Sequence, residues 1–328
     1  MTESKPSIVL VMEKPIQLKW AASIFSEKWP DRRILAVLTY YLGVYEFRYP
    51  RGMKMADFPF VGEPSWKVRD FGYPLCMVFE IDNGQAVRTD LSFSDVLRDA
   101  GEVWFACDPD HSGANAFEVL MAECRGIDVS KQSFPAMFIR SLDNASLRKA
   151  IAAPATTDSQ EFREWAAKGQ AKRFFDFNFN TNSMAVFGDR LRKAGVNTEK
   201  FDMGKNSLQL LYWMRAQQGA QAITEGKLLI LMESWKGTGR YEKCEMGSPA
   251  SRGDIFKSLV HAGLLEQRDR DLEISDLGLE FLNLLHPDCE DPDLPARLRE
   301  WQADWPNAKP KMARYIRTLF GKQLRFNY

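Results

Sequence analysis

Short apolar runs alternate along the chain with longer segments of helical spacing. Residues 7–13, SIVLVME, form an unbroken apolar run of strand length that ends in an acid. A continuous run, as opposed to alternation, predicts a strand buried on both faces. Pro15 then stands at a favourable first helical position, and IQLKWAASIF carries helical spacing. The runs CMVFEI and EVWFAC predict further buried strands, GANAFEVLMAEC a helix, PAMFIR a strand, and NASLRKAI a helix opened by Asn144 as its cap. Residues 48–69, rich in Pro, Gly and aromatics, read as loop with short strands. Strands alternating with helices over roughly the first 140 residues predict an α/β domain with a mainly parallel sheet.

Beyond it the pattern changes. Residues 158–195 are helical and amphipathic, with few β-branched side chains. SPASRGDIFKSLVHAG has Ser248 as a cap, Pro249 in the first turn and Gly263 as a stop. LLEQRDRDLEIS then reads as two short strands around a charged turn, and DLGLEFLNLL as a helix. Helix, hairpin, helix is the skeleton of a winged-helix unit, which often sets a helix N-terminus and basic side chains against DNA phosphates. The same skeleton also serves protein contacts, so element order leaves the partner open. The expected division is an α/β domain over 1–142 and a mostly helical domain over 143–328, with the winged segment at 248–286.

Composition narrows the class. The 328 residues suffice for two or three domains with apolar cores. Lys plus Arg (44) equals Asp plus Glu (44), so net charge points to no partner. The distribution is more informative. Residues 309–328 hold Lys309, Lys311, Arg314, Arg317, Lys322 and Arg325, no acid, and the aromatics Tyr315, Phe320, Phe326 and Tyr328. This basic tail suits a phosphate backbone with stacking bases; an amphipathic closing helix with a solvated basic face fits the segment equally well. Cys76, Cys107, Cys124, Cys244 and Cys289 form no C-x-x-C pair, which argues against zinc. With no signal peptide and no membrane-length apolar run, the expectation is a cytoplasmic protein, nucleoid-associated in a bacterial host.

The candidate chemistry lies in VWFACDPDHSGANAFEVL, where a strand gives way to Asp108 and Asp110. In extended backbone the i, i+2 spacing points both side chains the same way. Glu13 also follows directly on a strand, and ligand sites of parallel sheets gather at the carboxyl ends of strands. Three converging carboxylates suit Mg²⁺ with retained waters and a substrate phosphate. D-P-D is also good turn chemistry, so a solvated turn carries equal weight on spacing alone.

VLVMEKP (residues 9–15) and FACDPDHSGANA (residues 105–116) resemble the two signature segments of a Toprim domain, a Rossmann-like α/β fold, and more narrowly that of type IA DNA topoisomerases. EFRYPRGMKMADFP is similar to the loop region between them, and FIRSLDNASLRKAIAAP to the segment leading into the next domain. GQAKRFFDFNFN resembles the family's Q-x-A-R-R-x-L-D helix, and GSPASRGDIF its G-T-P-A-T-R-A-D-I-I segment. The resemblance implies Mg²⁺ bound by Glu13, Asp108 and Asp110, with Lys14 near the scissile phosphate and His111 where the family has Arg. It implies single-stranded DNA held in a groove between the Toprim and winged-helix domains. Lys172, Arg173, Lys205 and Arg252 would then face phosphates, with Ser248 at the start of the DNA-binding helix.

Three departures bear on mechanism. The third acid of D-x-D-x-E is Ser112 and the next is Ala114, which weakens the implied Mg²⁺ site. About seventy residues separate AKRFFD from GSPASR, too few for the strand-passage gate that carries the family's nucleophilic tyrosine. In YWMR, Tyr212 precedes Arg215 at i+3 and is a weak candidate nucleophile; Tyr49 in YPR matches the motif letters by coincidence, and Tyr241 resembles a non-catalytic family tyrosine. The family's zinc ribbons are missing. The expectation is a reduced relative of type IA topoisomerases that binds single-stranded DNA. It either cleaves and rejoins it, with missing parts supplied by a protein partner or a second copy, or acts as a Toprim nuclease, or only binds.

Overall fold

A computed structural model describes residues 7–39, 44–70, 77–219 and 223–326. Cys76, at the head of the CMVFEI run, and Tyr328, in the basic tail, lie outside the described residues. The chain divides into two compact units, one of Met1–Arg48 with Ser65–Gln170 and one of Tyr49–Pro64 with Ala171–Tyr328. The first unit thus extends beyond the expected residue-142 boundary, and the chain enters the second unit once before residue 65.

In the first unit the elements run β1 (Ser7–Met12), α1 (Pro15–Lys28), β2 (Arg33–Leu38), β3 (Tyr45–Phe47), β4 (Trp66–Val68), β5 (Val78–Asp82), β6 (Gln85–Arg88), α2 (Phe93–Asp99), β7 (Glu102–Ala106), α3 (His111–Arg125), β8 (Pro135–Ala136), α4 (Asn144–Ala152) and β9 (Ala155–Thr156). Helix α5 (Gln160–Asn182) begins in this unit. Seven strands form one sheet in the order β6-β5-β2-β1-β7-β8-β9. Its centre is parallel, since β2, β1, β7 and β8 all run the same way, while β5, β6 and β9 add antiparallel edges. The apolar run of β1 lies in the middle with Ile8 to Met12 completely buried, as an unbroken run requires. At about 1.5–3 kcal/mol for each large aliphatic side chain, this strand is a principal contributor to the core.

CMVFEI pairs antiparallel with both β2 and β6, and the residues after it account for the second pairing. Asn83 and Gly84 both take positive φ, 47° and 78°, the geometry of a two-residue hairpin turn, and so return β6 directly alongside β5. PAMFIR is strand only at Pro135 and Ala136. Helix α4 is capped one residue earlier than expected, by Asp143, whose carboxylate accepts the Ser146 N–H at 2.9 Å.

The second unit takes up the remainder of α5, a π-helical turn (Ser183–Phe187), α6 (Gly188–Ala194), α7 (Lys205–Ala216), β10 (Ile223–Thr224), α8 (Glu225–Glu233), α9 (Pro249–His261), β11 (Leu265–Arg268), β12 (Asp271–Ile274), α10 (Asp276–Asn283), α11 (Leu294–Ala303) and α12 (Lys309–Arg325). Helix, hairpin, helix over α9 to α10 is present as expected. The third strand β10, which completes a sheet of order β10-β12-β11, is not signalled by the apolar pattern. An aromatic cluster holds the unit together: Phe320 of α12 meets Phe179 at 5.4 Å and Phe187 at 5.0 Å between ring centroids.

Segment 49–64 is fastened to this unit by two buried amides on α5. Asn178 accepts from the Gly62 N–H at 2.7 Å and donates to the Gly62 carbonyl at 2.9 Å. Asn182 does the same with Phe60, at 2.8 and 2.7 Å. Each side chain pairs with a peptide group as a neighbouring strand would, so buried backbone polar groups are satisfied without a sheet. Among the described residues no helix is long and apolar enough to cross a membrane.

Candidate functional site

Strands β1 and β7 are adjacent and parallel, with Met12 paired to Ala106, so Glu13 and Cys107 leave the sheet at the same level. From β1 the chain crosses through α1 to β2 on one side; from β7 it crosses through α3 to β8 on the other. The two connections diverge here, which opens a crevice beyond the carboxyl ends of these strands. The expected acids sit at that divergence.

Their geometry is held by local bonds. The Asp110 N–H donates to the Asp108 carbonyl at 2.8 Å, closing the turn. The Asp110 carboxylate then caps α3, accepting the Ser112 and Gly113 N–H groups at 2.7 and 2.9 Å. Gly113 permits the tight start: a β-carbon there would stand 2.2 Å from the Asp108 carbonyl oxygen and 2.9 Å from the Cys107 β-carbon. His111 opens the helix at intermediate exposure. Asp108 is gripped by two residues of the first turn, accepting from the Lys14 ammonium and from the Gln17 amide. Gln17, itself 3% exposed, also accepts the Glu13 and Lys14 N–H groups at 3.2 and 2.9 Å through its amide oxygen. One buried side chain therefore ties the end of β1 to the acid that follows β7. Sequence reasoning missed Gln17 and Gly113. The glycine had a local signal, directly after the acidic turn, whereas Gln17 meets a residue 91 positions away.

Electrostatically the site is under load. Burial first, then the charges of Asp108 and Asp110, push the Glu13 carboxyl from 4.5 up to about 7, against the opposing pull of Lys14. The Lys14 ammonium lies 3.9 Å from Glu13, and its bond to Asp108 raises its own pKa. One Glu13 oxygen, Oε2, is buried without a hydrogen-bond partner among the described residues. Among the described residues no group of three or more His, Cys, Asp or Glu side chains is arranged to hold a metal ion, Glu13, Asp108 and Asp110 included. The donors present are nevertheless those of a hard divalent cation that keeps part of its water: carboxylate oxygens only, mutually repelling, one of them buried and unsatisfied. The residues fit Mg²⁺ in kind.

The second unit brings three other expected residues together in an arrangement of its own. Asp176 is buried and bonded to the Lys205 ammonium and, at 3.3 Å, to that of Lys172. Burial opposes ionisation of Asp176, yet Lys205 and Lys172, with Arg173, hold its carboxyl well below the usual range. For Lys172 the pull of Asp176 is outweighed by burial and by the neighbouring cations Arg173 and Lys205, which lower its pKa. Two of the expected phosphate contacts thus pair with a buried acid, Asp176, from partly exposed positions.

Two expectations need correction. Arg252 does not stand out from α9: it is 7% exposed, with its guanidinium 2.7 Å from Glu245. The helical pattern puts it on the face turned to the core, beside Phe256 and Leu259. Ser248 does sit at the exposed start of that helix, its hydroxyl 2.9 Å from that of Ser251. Tyr212 is 3% exposed within the core, its hydroxyl without a hydrogen-bond partner among the described residues, with Arg215 stacked 4.8 Å from its ring centroid. Burial drives its phenol far above the usual range, so it can neither reach a phosphate nor ionise to attack one. Tyr49 is likewise engaged, stacked on Phe177 at 5.8 Å.

No known protein family matches the chain, and neither does any curated protein.

Proposed function

We propose that the chain is a reduced relative of type IA topoisomerases, with a Toprim-like first unit and a winged-helix-type second unit, and that it binds single-stranded DNA and acts on its phosphodiester backbone with Mg²⁺. One observation carries this reading: Glu13, Lys14, Asp108 and Asp110 gather beyond two adjacent parallel strands where their connections diverge, and burial, with the charges of Asp108 and Asp110 added, raises the Glu13 carboxyl to about 7. Glu13, Asp108 and Asp110 would hold the cation, which when bound supplies Lewis-acid polarisation of a phosphoryl oxygen. Lys14 is the cation of the chain itself, shared between Asp108 and Glu13 and able to turn to an incoming phosphate. Gln17 keeps Asp108 in place while Lys14 moves. Asp110 fixes the start of α3, whose N-terminal dipole favours negative charge at the same spot.

The burial of Tyr212 favours a second reading of the same site, hydrolysis by activated water without a protein–DNA adduct. A labelled single-stranded oligonucleotide with Mg²⁺, resolved on a denaturing gel for the wild type and Asp108→Ala, tests both. A band shifted by protease marks a covalent adduct, the cleavage half of strand-rejoining chemistry. Free cleaved DNA lost in Asp108→Ala marks a nuclease. Intact DNA with a clear binding shift on a parallel native gel leaves a binding protein alone, and no binding at all overturns the proposal.

A further inference from the structure

Helix α12 presents a one-sided row of cations. Lys311, Arg314, Thr318, Lys322 and Arg325 follow at intervals of three or four and so share one face, with Arg317 beside them; they line an open groove of about 660 Å³. The opposite face, Met312, Ile316, Leu319 and Phe320, is buried in the second unit's core, so the helix is anchored and has no apolar side to offer a bilayer. Acids of neighbouring segments answer only part of the row: Lys311 pairs with Asp304 at 2.9 Å, and Lys322 pairs with Asp288. Arg314, Arg317 and Arg325 are exposed and make no ion pair among the described residues. The helix itself contains no acid.

We propose that this face of α12 is a docking track for the sugar–phosphate backbone of single-stranded DNA, an inference that rests on the single-strand-binding reading above and assigns it a surface. The cations that reach solvent unanswered are all arginines, whose forked donors match phosphate oxygens in pairs. They recur along a helix length of about 21 Å from residue 311 to 325, at 1.5 Å per residue, which suits a repeating polyanion better than a single acidic group. Their number also fixes the salt response, because each phosphate neutralised on a single strand contributes about 0.7 to the slope of log K against log salt.

The test is fluorescence anisotropy of the full chain with a labelled oligothymidylate across a salt series. It compares the wild type with the triple variant Arg314→Gln, Arg317→Gln, Arg325→Gln and the charge-keeping triple Arg→Lys variant. The Gln variant should bind about tenfold or more weaker at low salt, with its slope reduced by about 2, while the Lys variant retains the wild-type slope. Wild-type binding with unchanged affinity and slope in the Gln variant would overturn the track and leave the proposed function standing. A wild type that binds no oligonucleotide at any salt would overturn both. Capture of anionic phospholipid vesicles in preference to the oligonucleotide would replace it with a lipid surface. Should the triple Gln variant fail to match the wild-type circular dichroism, the single Arg317→Gln variant must still lower the slope by about 0.7, and an unchanged slope refutes the track.

Discussion

Replacing Glu13 by Gln preserves the side chain's shape and removes a charge that the first unit accommodates poorly. The carboxyl is 13% exposed, and burial together with Asp108 and Asp110 raises it from 4.5 to about 7. Below the unfolded value both states hold the proton and the residue costs nothing. Between the two values the unfolded chain releases the proton first, so stability falls as pH rises, and above about 7 the loss is complete. At about 1.4 kcal/mol per pH unit, the gap corresponds to about 3 kcal/mol. Glu13→Gln is free of that loss. It should match the wild type near pH 4 and be more stable by up to about 3 kcal/mol at pH 8, with the advantage growing across the interval between. Urea denaturation of both proteins in chelator-treated buffer, from pH 4 to 8, measures this directly. A variant no more stable than the wild type at pH 8 would refute the account of a carboxylate held against its own repulsion.

Three further substitutions test other parts of the structure. Gly113→Ala sets a β-carbon 2.2 Å from the Asp108 carbonyl oxygen; it should cost about 3 kcal/mol in urea denaturation and abolish any Asp108-dependent DNA cleavage. Lys205→Ala leaves the buried Asp176 with one of its two ammonium partners gone, and a loss of about 3–5 kcal/mol is expected in the same assay, whereas a loss below about 1 kcal/mol would mean Asp176 does not depend on Lys205 for its charge. Tyr212→Phe removes a buried hydroxyl that has no hydrogen-bond partner among the described residues, so stability should hold or rise by about 1 kcal/mol and any protein–DNA adduct should persist; an adduct that vanishes would restore Tyr212 as the nucleophile.

The parts of the fold legible in the sequence are those set by short-range pattern. The unbroken run before Glu13 could only be a strand covered on both faces, and the position of Asp108 after EVWFAC placed both acids at strand ends before any pairing was known. The Asn83–Gly84 turn was equally legible as a hairpin signal, but the apolar run CMVFEI taken alone marks a buried strand and not its pairing with β6. The remainder depends on tertiary contact. Nothing near Gln17 shows that its amide meets Asp108, and Arg252 stands at a phosphate-binding position by sequence while its partner Glu245 claims it in space. For Tyr212 the neighbouring Leu208 and Leu211 already mark an apolar helix face, and that pattern outweighs the resemblance of YWMR to a catalytic motif.

The amide pairs that Asn178 and Asn182 make with residues 60 and 62 have a consequence for dissecting the molecule. Because segment 49–64 belongs with residues that follow it by more than a hundred positions, no single cleavage of the polypeptide yields both units whole. A fragment beginning at residue 171 would carry two amides that have lost their peptide mates at Phe60 and Gly62, and a synthetic peptide of residues 49–64 is the complement it would recruit. Gene fusions or swaps that treat the halves as consecutive cassettes would break this lacing, and a shuffled chain would have to carry both strands of it together.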